Sequence, residues 1–182
     1  MEVEDILCNM EGRVPKKKSG AKGKRHELEV VKILNERFRK LLSENPDWGQ
    51  FSRSAGSGNR WGQVAHLPKH ARDTYGGDIT CPDRFAFVLE SKGGYNEIDL
   101  VSAFDGGHRE IDAFLKQSED DSTRTGRRPM LVWKKDRKPR LSFVKTVDLP
   151  SQQWEYSFTY RDWTAVRFRD LLKCDDSYFF PG

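Results

Sequence analysis

The chain has 182 residues, of which 33% are charged and 12% aromatic, and its formal net charge is +4. This length fits a single domain, and the aromatic content favours a folded core over a disordered chain. No apolar run of about 18 residues is present, which excludes a membrane-spanning helix. Three cysteines without CxxC spacing argue against structural zinc and fit a reducing compartment, so we expect a cytoplasmic protein.

The N-terminal segment is strongly basic. Seven Lys or Arg residues and no acidic residue lie between Arg13 and Arg25. This composition predicts a flexible arm over residues 1–23. A second basic stretch runs from Arg124 to Arg140. Clustered basic charge of this kind is typical of proteins that bind a polyanion.

An amphipathic helix is predicted over residues 24–44. Its apolar residues recur at helical spacing, and Asn45-Pro46 ends the pattern. We interpret Leu28 and Val31 as marking its buried side.

Three short strands are predicted next, over residues 51–54, 77–81 and 85–92. The third contains the apolar run from Phe85 to Leu89, which is typical of a strand buried on both faces. A turn at Pro82-Asp83 joins the second strand to the third.

The second half of the chain alternates between helical and extended patterns. A helix is predicted over residues 108–121, a strand, charged turn and strand over 129–149, and a closing helix over 161–173. With the preceding elements, this order predicts an α/β domain with a mixed central sheet flanked by helices.

Three charged residues interrupt the predicted strand pair. Glu90 and Lys92 are two positions apart, so on a strand they lie on the same face. Asp78 begins the partner strand and can converge with them. Charges in such an apolar setting are costly unless they are paired or hold a metal ion. Carboxylates are the ligands that Mg²⁺ prefers, and phosphodiester hydrolysis uses such an ion.

The order Asp78, eleven residues, then Glu90-Ser91-Lys92 resembles the PD-(D/E)xK nuclease superfamily. The segments KGKRHELEVVKIL and FSRSAGSG resemble the first helix and following strand-loop of archaeal-type and phage-type Holliday junction resolvases. The resemblance covers about residues 22–92. It implies a restriction-endonuclease-like core, here a single nuclease domain over residues 24–182 with a C-terminal extension.

The resemblance also implies the roles of individual residues. Asp78, Glu90 and Glu27 would hold Mg²⁺, for which Mn²⁺ can substitute, and Lys92 would orient or deprotonate the attacking water. Glu29 competes with Glu27 for this assignment, because the two cannot share a helical face. Either Ser52 or Ser54 would match a functional serine of the resolvases, and Gln117 on the later helix is a further candidate.

DNA is the partner that the resemblance implies. The basic arm and the Gly/Ser-rich loop supply the predicted DNA-binding residues, which are Lys16, Lys17, Lys18, Lys22, Lys24, Arg25, Arg53, Ser54, Ser57, Arg60, Lys69 and Arg72.

Branched DNA such as a Holliday junction is the leading substrate, and the paired cuts that it needs predict a homodimer. One alternative is a restriction-like endonuclease or nickase of a phage or mobile element, acting in the cytoplasm of an infected host. Another is a DNA-binding protein that kept the fold and lost the reaction.

Overall fold

The computed structural model describes residues 19–54, 76–102 and 106–182, with side chains from residue 23 onward. Residues 1–18 of the predicted arm (residues 1–23), and most of the Gly/Ser-rich loop, lie outside these ranges. No helix within them combines the length and the apolar character that crossing a bilayer requires.

Two consecutive helices open the described part of the chain. Helix α1 spans Ser19–Arg37 and α2 spans Arg39–Glu44, separated only by Phe38. The helix therefore begins five residues before the predicted start at residue 24. Leu34, Phe38 and Leu42 are buried along one side, as helical spacing requires. A short 3₁₀ turn, Pro46–Trp48, follows.

Seven strands form one mixed sheet. Their order across the sheet is β1-β2-β3-β4-β5-β7-β6, and only β3 and β4 are parallel neighbours. The strands are β1 Ser52–Arg53, β2 Ile79–Thr80, β3 Phe87–Gly93, β4 Arg128–Lys134, β5 Leu141–Lys145, β6 Ser157–Tyr160 and β7 Trp163–Arg167. The predicted mixed α/β sheet is confirmed.

Helix α3, Arg109–Thr125, connects the two parallel strands and packs against both. It confirms the helix predicted over residues 108–121. Its C-cap, Gly126, adopts a left-handed conformation that glycine readily supplies. A 3₁₀ turn, Thr146–Asp148, and two short helices, α4 (Phe168–Leu171) and α5 (Asp176–Phe179), complete the described elements.

The closing helix predicted over residues 161–173 is wrong. Trp163–Arg167 of that segment form β7, which pairs with both β5 and β6, and only Phe168–Leu171 is helical. Trp163 and Ala165 pack into one hydrophobic cluster, whereas Val166 packs into the other. A strand buried on both faces shows no alternation of apolar and polar residues, so its sequence pattern does not distinguish it from a buried helix.

Two hydrophobic clusters lie on opposite faces of the sheet. One lies beneath α1 and includes the rings of Phe38, Phe85 and Phe179; the other lies beneath α3 and includes Phe114 and Trp163. Strand β3 runs between them, and its first five residues are all buried. Charged side chains on β3 therefore have little access to water.

Candidate active site

Asp78 is held in place by the glycine that precedes it. Gly77 has φ of +73°, a conformation that L side chains rarely adopt. A Cβ at this position would lie 2.3 Å from the carbonyl oxygen of Leu89, so only glycine allows this approach. The Asp78 amide then donates to the same Leu89 oxygen at 2.9 Å. The Gly-Gly-Asp segment therefore ties Asp78 to β3.

Asp78, Glu90 and Lys92 lie together. The Lys92 ammonium contacts Glu90 Oε1 and lies 3.7 Å from Asp78 Oδ2. The backbone amide of Ser91, between the two strand residues, donates to Asp78 Oδ2 at 3.1 Å. Glu90 and Lys92 project from the same face of β3, as the two-residue spacing predicts.

This cluster is buried and electrostatically strained. Glu90 is 1% exposed and Asp78 4%. Burial, and then the nearby Asp78 carboxylate, raise the pKa of Glu90 well above its usual value. Burial lowers the pKa of Lys92, but Glu90 and Asp78 outweigh it, so the net shift is upward. One cation balances two neighbouring carboxylates, which leaves the cluster short of positive charge.

The cluster has the chemistry of a divalent-cation site. Glu90 Oε2 is buried and has no hydrogen-bond partner within the described ranges. Mg²⁺ is commonly held by one or two carboxylates, with water and substrate phosphate as further ligands. The described residues contain no group of three or more His, Cys, Asp or Glu arranged to hold a metal ion. Asp78 and Glu90 fit the smaller ligand set.

Glu27 is buried on α1, and its carboxylate contacts Arg53 of β1. Within the described residues, Glu27 does not form a three-carboxylate metal site with Asp78 and Glu90. Its role as a metal ligand therefore stays a prediction. Its competitor Glu29 faces Arg25, Lys134 and Arg140 instead.

The buried side of α1 differs from the predicted one. Leu28 is 56% exposed, whereas His26, Glu27 and Val30 are buried. The interpretation of Leu28 as a buried residue is wrong, because near the site this helix buries polar side chains. Apolar periodicity therefore does not mark its inner face there.

His26 was not predicted as a site residue. Its Nδ1 lies 2.9 Å from the hydroxyl of Ser91, which joins α1 to the centre of the motif. Burial, and then Arg140 and Lys134, lower the pKa of His26 to about 4. The histidines of the sequence do not show the spacing of metal ligands, so no motif identified His26 as a site residue.

Asp121 on α3 was also overlooked. Asp121 is buried and contacts Arg124. Burial raises its pKa. Asp78 raises this pKa further and Lys92 lowers it, which indicates that Asp121 lies near the cluster. It lies one turn after Gln117, which is partly buried. The sequence held a signal, because Asp121 continues the helical stripe of Ile111, Phe114 and Leu115.

The predicted DNA-binding residues fall into three groups. Lys24 and Arg25 are exposed and available to a ligand, as is Ser52, which was a separate candidate site residue. Arg53 pairs with Glu27, and Ser54 is buried, where its amide donates to the Asp78 carbonyl at 3.0 Å. The others, Lys16, Lys17, Lys18, Ser57, Arg60, Lys69, Arg72 and the side chain of Lys22, lie outside the described residues.

Comparison with known proteins agrees with this geometry. Residues 18–179 match the model of a family described as "Phage putative PDDEXK endonuclease". Searches of curated proteins and of solved structures gave no match. The family match spans α1, the whole sheet and the Asp78–Glu90–Lys92 cluster. The chain therefore belongs to this phage endonuclease family of the PD-(D/E)xK nuclease superfamily.

Proposed function

We propose that this chain is a metal-dependent endonuclease that cuts branched DNA such as a Holliday junction, with Asp78, Glu90 and Lys92 at its active centre. The observation that carries the proposal is the meeting of these three side chains in one buried cluster, with Asp78 directly before β2 and the other two on β3. A protein that only binds DNA has no use for two such carboxylates, which disfavours an inactive binding protein.

The proposed metal ligands are Asp78 and Glu90. A bound divalent ion would stabilise negative charge on the phosphate and lower the pKa of the attacking water. The Ser91 amide fixes Asp78, and one carboxylate oxygen of Glu90 has no hydrogen-bond partner among the residues that the structure describes. We propose Mg²⁺ as the ion, with Mn²⁺ as a substitute. Glu27 would become a metal ligand only if its carboxylate released the side chain of Arg53.

Lys92 is proposed to act as a cation. Burial lowers the pKa of Lys92, but Glu90 and Asp78 outweigh it, so in the metal-free protein the side chain stays protonated at neutral pH. A fixed ammonium beside the phosphate stabilises the charge that develops in the transition state and orients the attacking water. The raised pKa favours these roles over the other predicted one, in which Lys92 removes a proton from water.

The branched substrate rests on the resemblance of the first helix and the strand-loop to junction resolvases. Two symmetric cuts need two active sites, and a homodimer supplies them. A nickase or restriction-like endonuclease of a phage is the second candidate, and the family match favours a phage enzyme.

A cleavage assay separates these candidates. The protein is incubated with a labelled four-way junction, with a linear duplex of the same arm sequence, and with supercoiled plasmid, in Mg²⁺, Mn²⁺ or EDTA. Paired symmetric nicks in the junction alone support a resolvase, and light scattering should then give the mass of a dimer. Cutting of plasmid or duplex at a fixed site supports the second candidate. Retardation without cutting in either metal would contradict nuclease activity.

A further inference from the structure

A polar cavity of about 370 Å³ lies beside the proposed active centre. Its lining is formed by Arg25, His26 and Glu29 of α1, by Gly93 and Gly94 after the motif lysine, and by Lys134, Asp136 and Arg137. We call this cavity the basic pocket. Gly93 pairs with Lys134 in the parallel β3–β4 register. The pocket therefore begins at the residue that follows Lys92.

The basic pocket carries more cations than anions. Arg25 and Lys134 lie 3.1 and 3.5 Å from the Glu29 carboxylate, and Arg140 contacts it as well. Burial raises the pKa of Glu29, but Lys134 and Arg140 outweigh it and the net shift is downward. One carboxylate thus faces three cations.

Arg137 is the third Lys or Arg side chain that lines the pocket, after Arg25 and Lys134, whereas Arg140 contacts Glu29 without lining the cavity. Arg137 is exposed, and within the described part of the chain it forms no ion pair. Asp136 is already engaged with Asn96 through its carboxylate and its amide. The surplus of positive charge is the feature that a phosphate group needs.

The walls of the pocket leave room for a ligand. Gly94 has φ of +91°, and a Cβ built on it would meet no atom within 4 Å. Gly93 lies so close to α1 that a Cβ would be 2.6 Å from His26 Cβ. These two glycines therefore form a wall without side chains. His26, buried in the same wall, has an Nε2 atom without a partner among the described residues.

We infer that the basic pocket binds a phosphate of the DNA backbone next to the phosphate that is cut. The inference rests on the proposed function and extends it to residues that the motif does not include. Glu29 acts as an internal counter-anion that holds Arg25, Lys134 and Arg140 until DNA enters. Backbone phosphates are the same in every base sequence, so a phosphate contact in the pocket contributes to affinity independently of sequence.

Binding of a fluorescent duplex, measured by anisotropy in EDTA over a series of KCl concentrations, tests this inference without cleavage. Lys134→Gln with Arg137→Gln should weaken binding and lower the slope of log affinity against log salt by about one, the share of one phosphate. Glu29→Gln should act in the opposite direction and tighten binding by roughly two- to fivefold. A purely structural ion-pair network predicts no tightening.

Matched controls lie outside the pocket. Lys40→Gln with Arg169→Gln removes two exposed cations, and Glu36→Gln removes an exposed acid from the same helix as Glu29; their salt slopes should equal that of the wild type. If Lys134→Gln unfolds the protein, Arg137→Gln alone supplies the test, because that side chain has no ion pair within the described ranges to lose.

The outcomes separate this inference from the proposed function. If the wild type binds DNA normally but the pocket variants show the same affinity and the same salt dependence, only the inference about the basic pocket is contradicted. No binding by the wild type of either the duplex or a four-way junction of the same arm sequence would contradict DNA as the ligand and would overturn both.

Discussion

The amide of Ser91 donates a hydrogen bond of 3.1 Å to Asp78 Oδ2, and this contact fixes the distance between the two parts of the motif. Because Ser91 lies between Glu90 and Lys92, any shift of Asp78 also alters its relation to both charged neighbours. The hydroxyl of the same residue reaches His26. Ser91 thus joins β3 to the Gly-Gly-Asp segment and to α1.

Gly77→Ala should destabilise the folded protein and abolish cleavage. The added methyl would meet the Leu89 carbonyl in a backbone conformation unfavourable for alanine. We expect a loss of about 2–4 kcal/mol in the free energy of unfolding, measured with urea. Gly49→Ala is the control, since Gly49 has φ of +78° but open space at the Cβ position. It should lose only about 1 kcal/mol, and equal losses in both variants would contradict the close approach.

Glu90→Gln should stabilise the metal-free protein while removing its activity. The pKa of Glu90 is raised in the fold, so ionising it opposes folding. The contribution of Glu90 to the free energy of unfolding is therefore most favourable below pH 4.5. This contribution is lost as the pH rises through the pKa of Glu90 in the folded state. The variant should be more stable by about 1 kcal/mol in EDTA at alkaline pH, with a smaller difference in acid. Glu97→Gln, at an exposed position, should change nothing; destabilisation by Glu90→Gln at alkaline pH would contradict the account.

A divalent metal should raise the stability of the wild type. Ligands that bind only the folded state stabilise it by about 2.7 kcal/mol at one hundred times the dissociation constant. Thermal unfolding with Mn²⁺ or Mg²⁺ against EDTA measures this effect. Glu90→Gln should lose most of the shift, whereas Glu97→Gln should keep it. An equal metal response in both variants would remove Glu90 from the set of ligands.

Acid should weaken the contact between α1 and β3. The pKa of His26 falls from 6.5 to about 4 in the fold, so unfolding takes up a proton between these values. Its stabilising effect is full above pH 6.5 and is lost as pH falls towards 4, a change of up to about 3 kcal/mol. The free energy of unfolding, followed from pH 7 to 4, should fall less steeply in His26→Asn than in the wild type. Identical slopes would exclude His26 as a source of acid sensitivity.

The motif could be predicted from sequence because its charges interrupt an apolar strand. The run from Phe85 to Leu89 indicates a strand buried on both faces, and the two-residue spacing of Glu90 and Lys92 then places them on one face. The pairing of β2 with β3 follows from the short turn between them. These inferences use local spacing alone.

Other features depend on contacts that local spacing does not encode. Strand β7 is buried on both faces like β3, yet without flanking turn signals it was assigned to a helix. Leu28 is exposed because α1 buries His26 and Glu27 instead. Asp121 approaches the site only because α3 crosses back over β3 and β4. Each case needs the tertiary packing.

Cleavage by Asp78→Asn under single-turnover conditions tests the central claim most directly. The asparagine keeps the size of the side chain and removes the charge that would hold a metal ion. We predict that Asp78→Asn loses about a hundredfold or more of the cleavage rate in Mg²⁺ and still binds DNA. Asp83→Asn, at an exposed turn, is the control and should cut at the rate of the wild type. Cleavage by Asp78→Asn at the rate of the wild type would contradict the assignment of this cluster as the active centre.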